Sequence, residues 1–361
     1  MRLSQLLRGE STISIIGLAK NTGKTVSLNQ LIRELDESKR RIGVTSVGRD
    51  GERTDVLDSA IVKPPIHLPL GTLFTSTPQL LQRADVRYRI LHRTQIRTPL
   101  GTLVVGLVTA PGQLEVTGPP SFAPLQQIRD LMHRLGADLV LIDGAFDRKA
   151  AASPEISDGV ILSTGAVLSP DPDDVVQITR SRVEMLRLPT VTDPLVREVA
   201  QSDGRVLGIG CDSRVHRLPF DPLCDAIDTL AKVIPHDLAY MVFRNALVES
   251  MIDRISESKP GDLPTFVVQD SSRLFVSPAK WREYRARGLR FQALRAIHLI
   301  ATTVNPVAPA AHRLSSEELV GKLRIALSSD NVFDVRSPRY PATLGHLTEP
   351  QAIAGPGRSP S

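Results

Sequence analysis

Apolar and polar positions alternate at two different periods along the start of the chain. Residues 11–16 form a β-branched run that stops at Gly17, and a polar loop follows. Val26, Leu28, Leu31, Ile32 and Leu35 then recur at helical spacing through residues 24–35. Residues 42–47 read as a second strand, closed by the turn-forming residues 48–52. Strand, loop, helix, strand in that order predicts an α/β fold with a mostly parallel sheet.

The pattern beyond is less regular. Prolines interrupt residues 64–78, and a helix is expected over 79–92. Residues 103–108 and 113–117, joined by Ala110-Pro111-Gly112, read as a hairpin. Helices are expected over 124–135 and 173–186, and strands over 138–142, 160–162 and 206–209. After Pro235 the pattern changes to a long helical stretch over 237–255 and a break at residues 259–261. A hairpin over 266–268 and 274–276, a strand over 297–302, a helix over 316–327 and a strand over 332–335 complete the reading. This predicts a domain over residues 1–235, a smaller C-terminal α/β unit over 236–345 and a disordered tail over 346–361, with no internal repeat. Two domains also suit 361 residues, at roughly 150 residues each.

No apolar run approaches the roughly 20 residues of a membrane helix. The N-terminus lacks a secretory pattern, and two cysteines, Cys211 and Cys224, make no disulfide framework. A cytoplasmic protein is expected. The net charge of +5 comes from 9 lysines and 35 arginines scattered among 39 acids, so nucleic acid is not an expected partner. With lysine so scarce, the pair Lys20 and Lys24 stands out.

Those lysines belong to the sharpest motif, Gly17-Leu18-Ala19-Lys20-Asn21-Thr22-Gly23-Lys24-Thr25, set between a strand and an amphipathic helix. In a phosphate-binding loop, backbone N–H groups and a helix N-terminus surround the phosphates. The lysine spans the β- and γ-oxygens, and the hydroxyl after it ligates Mg²⁺. The strict spacing wants glycine at position 18, where this chain has Leu18. The bland alternative is a glycine-punctuated turn at a helix start. Residues 138–142 end in Asp143-Gly144, the place of a Mg²⁺-associated carboxylate in such proteins.

Other candidates are weaker. Asp50 and Glu52 follow the second strand, and Asp50 is a candidate for orienting water; a solvated turn explains them as well. Asp147-Arg148-Lys149 and Thr164-Gly165-Ala166 also lie past strand ends. Cys211, His216, Cys224 and His236 have no zinc-ligand spacing. Trp281, Tyr284 and Phe291, interleaved with arginines, read as aromatics turned into a core. The guanine motif Asn-Lys-x-Asp is absent, and Thr190-Val191-Thr192-Asp193 is a faint substitute, which favours ATP over GTP.

Gly17–Thr25 with Asp143 resembles the SIMIBI class of P-loop NTPases, which includes dethiobiotin synthetase and the partitioning ATPases. The partitioning ATPases carry a further lysine where this chain has Ala19, with Lys20 one place on. Over most of the chain, residues 46–52, 142–148, 157–165, Val304-Asn305-Pro306 and 333–335 look like the P-loop subunit of the lysine and ornithine aminomutase reactivases. That resemblance implies an ATPase with Mg²⁺ that restores a damaged cobalamin-dependent mutase together with a second ATPase subunit. The alternatives are a small-molecule ligase or kinase of the dethiobiotin synthetase type, and a nucleotide-dependent regulatory module.

Overall fold

The fold is given by a computed structural model, which describes residues 1–47, 66–144, 149–218, 234–258, 261–309 and 312–341. Its centre is a large sheet. β1 (Thr12–Gly17) runs parallel to β7 (Leu139–Asp143) on one side and to β8 (Gly159–Gly165) on the other. Outward from β7 come β2 (Ile42–Ser46) and β4 (Leu73–Ser76), both parallel. Outward from β8 come β16 (Leu299–Asn305) and β17 (Val332–Phe333), also parallel. The inner strands are nearly continuous aliphatic runs because helices cover both faces.

On one face, α1 (Lys24–Glu37) buries Leu28, Leu31, Ile32 and Leu35 against β1, β2 and β7. Each of those side chains contributes about 1.5–3 kcal/mol on burial. On the other face, α3 (Phe122–Arg134) buries Leu125, Ile128 and Met132, and α4 (Pro172–Leu186) packs with α8 (Ser316–Leu327) beside β8 and β16. These helices lie close to their expected positions.

The antiparallel wing departs from expectation. Instead of a helix over 79–92, a single turn, α2 (Pro78–Leu81), precedes β5 (Asp85–Thr98). Val86, Tyr88 and Ile90 pack inward while Arg87 and Arg89 are exposed, a strand period that the earlier apolar residues disguised. Instead of a hairpin over 103–117, β6 (Gly101–Leu114) is one long strand. It pairs with β5, β4 and β3 (Ile66–Leu68), and Pro111-Gly112 sit within it where the β5–β6 register is irregular.

A second sheet has the order β10 (Val215–Arg217), β9 (Val206–Gly210), β11 (Leu238–Phe243), β13 (Thr265–Val268), β15 (Phe291–Ala293). The expected helix over 237–255 is β11, the short β12 (Leu247–Val248) and then α6 (Glu249–Ser258). The expected hairpin is also absent: β13 lies parallel between β11 and β15, and β14 (Leu274–Phe275) pairs parallel with β12. Strand, short strand, helix therefore occurs twice, ending in α6 and in α7 (Pro278–Ala286). Trp281, Tyr284 and Phe291 are buried there, as their spacing predicted.

Strand pairing does not change at residue 235. β9 and β10 already belong to the second sheet with β11, α5 (Pro194–Val199) packs on it, and β16 and β17 return to the first. The second sheet is thus an excursion between α4 and β16. Trp281 Nε1–H donates to Glu184 Oε2 at 3.0 Å, and Ser153 Oγ donates to the buried Asp270 at 3.1 Å, tying the two parts together.

Candidate functional site

The carboxyl ends of β1, β7, β8 and β16 share one edge of the first sheet, where open α/β sheets form their ligand crevice. Gly17 ends β1, and the loop Leu18–Gly23 leads into α1 at Lys24. Leu18 N–H donates to Ser163 O of β8 at 3.0 Å, which fixes the start of the loop. Thr22, fully buried, turns its hydroxyl back to Ala19 O at 3.0 Å. Asn21 and Gly23 have φ of 61° and 89°, so the backbone takes left-handed conformations before entering the helix. Gly23 supplies no side-chain cap, so the first N–H groups of α1 have no side-chain acceptor from the N-cap residue.

Gly17 packs closely with the loop. A Cβ there would lie 2.4 Å from Thr22 Oγ1 and 2.9 Å from Cγ of Lys24. The lysine stem thus crosses the glycine, and Nζ donates to Ala19 O at 3.5 Å. Lys20 is exposed on the same loop, and Ala19 is half-buried. Leu18 is buried among Val175, Val176, Leu162 and Val304, so the place of the missing glycine is filled by a core side chain.

Thr25 and Asp143 are the expected oxygen ligands for Mg²⁺. Both are nearly buried, Thr25 in the first turn of α1 and Asp143 at the end of the strand beside β1, opposite Ile15 and Ser46. The backbone around Asp143 is pinned by Val47 N–H to Asp143 O at 3.1 Å and Gly144 N–H to Ile15 O at 2.9 Å. A hydroxyl and a carboxylate suit Mg²⁺, which takes one or two protein oxygens and completes its shell with phosphates and water. Among the described residues there is no cluster of three or more His, Cys, Asp or Glu that could hold a metal alone.

Asn305, quoted above within the resembling segment Val304-Asn305-Pro306 but given no role there, stands against the loop. Its Nδ2 donates to Asn21 O at 2.8 Å, and its Cβ lies 3.1 Å from where a Gly23 Cβ would be. Beneath it, Ser27 Oγ donates to Thr303 Oγ1 at 2.7 Å, and Thr303 Oγ1 lies 2.8 Å from Ser163 Oγ. This buried hydroxyl chain joins α1, β16 and β8. The expected strand end at residue 302 hid it.

The weaker candidates separate. Asp50 and Glu52, with Asp147, Arg148 and Cys224, lie outside the described residues. Thr164 bonds Thr179 at 2.7 Å inside the core, so its hydroxyl serves packing. Asp193 caps α5 by accepting from Leu195 N–H at 2.9 Å, and Thr190 bridges to Ala293 in the second sheet; neither belongs to the loop at Gly17–Lys24. Cys211 is exposed, and His216 stands on β10. No helix among the described residues is long and apolar enough to cross a membrane. No protein-family model, curated protein or solved structure matches this chain, so the reading of the site rests on its own residues.

Proposed function

We propose that the chain binds a nucleoside triphosphate with Mg²⁺ at Gly17–Thr25 and hydrolyses it to remodel a partner enzyme. The observation that carries this is the loop itself: a strand-to-helix crossing with left-handed Asn21 and Gly23, an uncapped helix start, and Lys24 folded over Gly17. In this reading Lys24 exchanges its contact with Ala19 O for phosphate oxygens, and the amides of the loop and first turn receive the remaining charge. Gly17, Ala19, Lys20, Asn21, Thr22 and Gly23 shape the cradle, and Thr25 and Asp143 hold Mg²⁺. The ion would offset charge on the phosphates. Asp50 is the proposed group for orienting the attacking water.

ATP is the proposed nucleotide because the chain lacks the guanine motif. The likeness to the aminomutase reactivases supplies the partner class: a cobalamin-dependent mutase, with a second ATPase subunit. The test is phosphate release from ATP by the full chain, alone and with a candidate mutase. Slow turnover alone that rises with the partner supports the proposal. Stimulation by a small acceptor in place of a protein would move the assignment to a ligase or kinase.

A further inference from the structure

The antiparallel wing of the first sheet concentrates the positive charge of the chain. Residues 66–114 contain five arginines, Arg83, Arg87, Arg89, Arg93 and Arg97, and a single acid, Asp85. That is a net +4, against +5 for the whole chain. All five arginines are exposed, and among the described residues none of their guanidinium groups has a hydrogen-bond or ion-pair partner. Several arginines elsewhere are held: Arg2 by Glu37, Arg129 by Asp130 and the carbonyls of Glu155 and Ile156, and Arg182 by Val276 O.

Four of the five arginines, Arg87, Arg89, Arg93 and Arg97, lie on β5, an edge strand among the described residues. Among the described strands β5 pairs with β6 alone. Val86, Tyr88 and Ile90 pack into the core under α1, so Arg87 and Arg89 stand on the opposite face. The register shifts between Ile90 and His92, and beyond it Arg93 stands opposite Val104, a residue of that same core. Ile96 packs under α3, which returns Arg97 to the face of Arg93. The arginines therefore stand on both faces of β5, Arg87 and Arg89 two residues and about 7 Å apart on one face, Arg93 and Arg97 four residues apart across a register shift on the other.

We infer that the edge of β5 docks an extended acidic polypeptide segment, whose alternate carboxylates meet Arg87 and Arg89 on one face and Arg93 and Arg97 on the other. A polypeptide added along the edge sends successive side chains to both faces and can use the edge N–H and C=O groups. Single-stranded nucleic acid fits less well, because single strands are held on exposed aromatic platforms. The one aromatic of β5, Tyr88, is half-buried and packed edge-on against Phe74 with centroids 6.0 Å apart. The inference does not depend on nucleotide binding at Gly17–Thr25.

The test is fluorescence anisotropy of a labelled peptide of alternating Glu and Thr, as long as β5, titrated with the full chain and no nucleotide. The expected result is saturable binding that weakens at least tenfold when Gln replaces Glu, and weakens steeply with salt. Arg87→Glu, Arg89→Glu, Arg93→Glu and Arg97→Glu combined should abolish it. Lysine at the same four positions should retain it, with thermal melting showing that each variant is folded. If the reversal variant does not fold, the glutamine peptide and the lysine variant still decide the matter. Tighter binding of an oligothymidylate than of the acidic peptide would overturn the inference in favour of a nucleic-acid face. No binding of the peptide, or binding indifferent to the arginines or to salt, would leave them as a guard against strand pairing and overturn it as well.

Discussion

A methyl group added to Gly17 would meet Thr22 Oγ1 and the stem of Lys24, the two side chains that shape the loop. Gly17→Ala is therefore expected to displace Lys24 and weaken ATP binding at least tenfold, with little loss of secondary structure; titration calorimetry with circular dichroism checks both. Asp158 provides a test that is independent of nucleotide. It pins the start of β1 by accepting from Ser11 N–H and Oγ–H at 2.8 Å each and from Thr12 N–H at 3.0 Å. Partial burial pushes its carboxyl up, but the bonds from Ser11 and Thr12 and the charge of Arg129 outweigh that and hold it below the usual range. A lowered carboxylate stabilises the fold above its unfolded pKa of about 4, and that contribution is lost as pH falls through the lowered value. Wild type should thus exceed Asp158→Asn in thermal stability near neutral pH, and the gap should close in acid. An equal gap at all pH values would count against the carboxylate. At this scale the sequence was legible in placement, with Gly17 at the end of β1, Lys24 at the start of α1 and Asp143 at the end of β7. Asn305 was not, because its role depends on β16 lying beside β8, a contact between residues far apart in the chain.

Among the elements, β16 and α1 form the joint on which the loop rests. The chain Ser27–Thr303–Ser163 is buried, and while Ser27 Oγ also reaches Gly23 O at 3.2 Å, removing the Thr303 hydroxyl takes the partner from Ser163 Oγ. Thr303→Val should lower stability by about 1–3 kcal/mol in chemical denaturation. Asn305→Ala should leave stability nearly unchanged and reduce nucleotide affinity, since it frees Asn21 O at the exposed rim. Equal affinity in the Asn305 variant would remove that residue from the site. Helices with a continuous apolar stripe, such as α1, were legible because a single face decides them. β5 and β6 were not: a turn-forming Pro111-Gly112 sits inside a strand, and only the neighbouring strands show that pairing continues through it. β11 reads in sequence as the start of a helix because a short run of apolar residues satisfies both periods.

For the whole molecule, side-chain bonds such as Trp281 to Glu184, Ser153 to Asp270 and Arg182 to Val276 O join the first sheet's helices and loops to the second sheet's part. Chain from α4 leaves the first sheet, builds the second and returns as β16, whose end carries Asn305. The sequence suggested two α/β units but not the return, because leaving and re-entering a sheet requires no local signal. The excursion starts from α4 and ends at β16, whose Asn305 contacts the loop at Asn21. The proposed function depends on whether the loop takes phosphate. The most direct measurement is calorimetric titration of ATP and GTP with Mg²⁺ into wild type and Lys24→Ala. The account predicts that wild type binds ATP more tightly than GTP. It also predicts that the variant loses about 1.5–3 kcal/mol or more, the scale of a charge-assisted contact. If neither nucleotide binds wild type, Gly17–Thr25 is a helix-starting turn and the proposed function is contradicted.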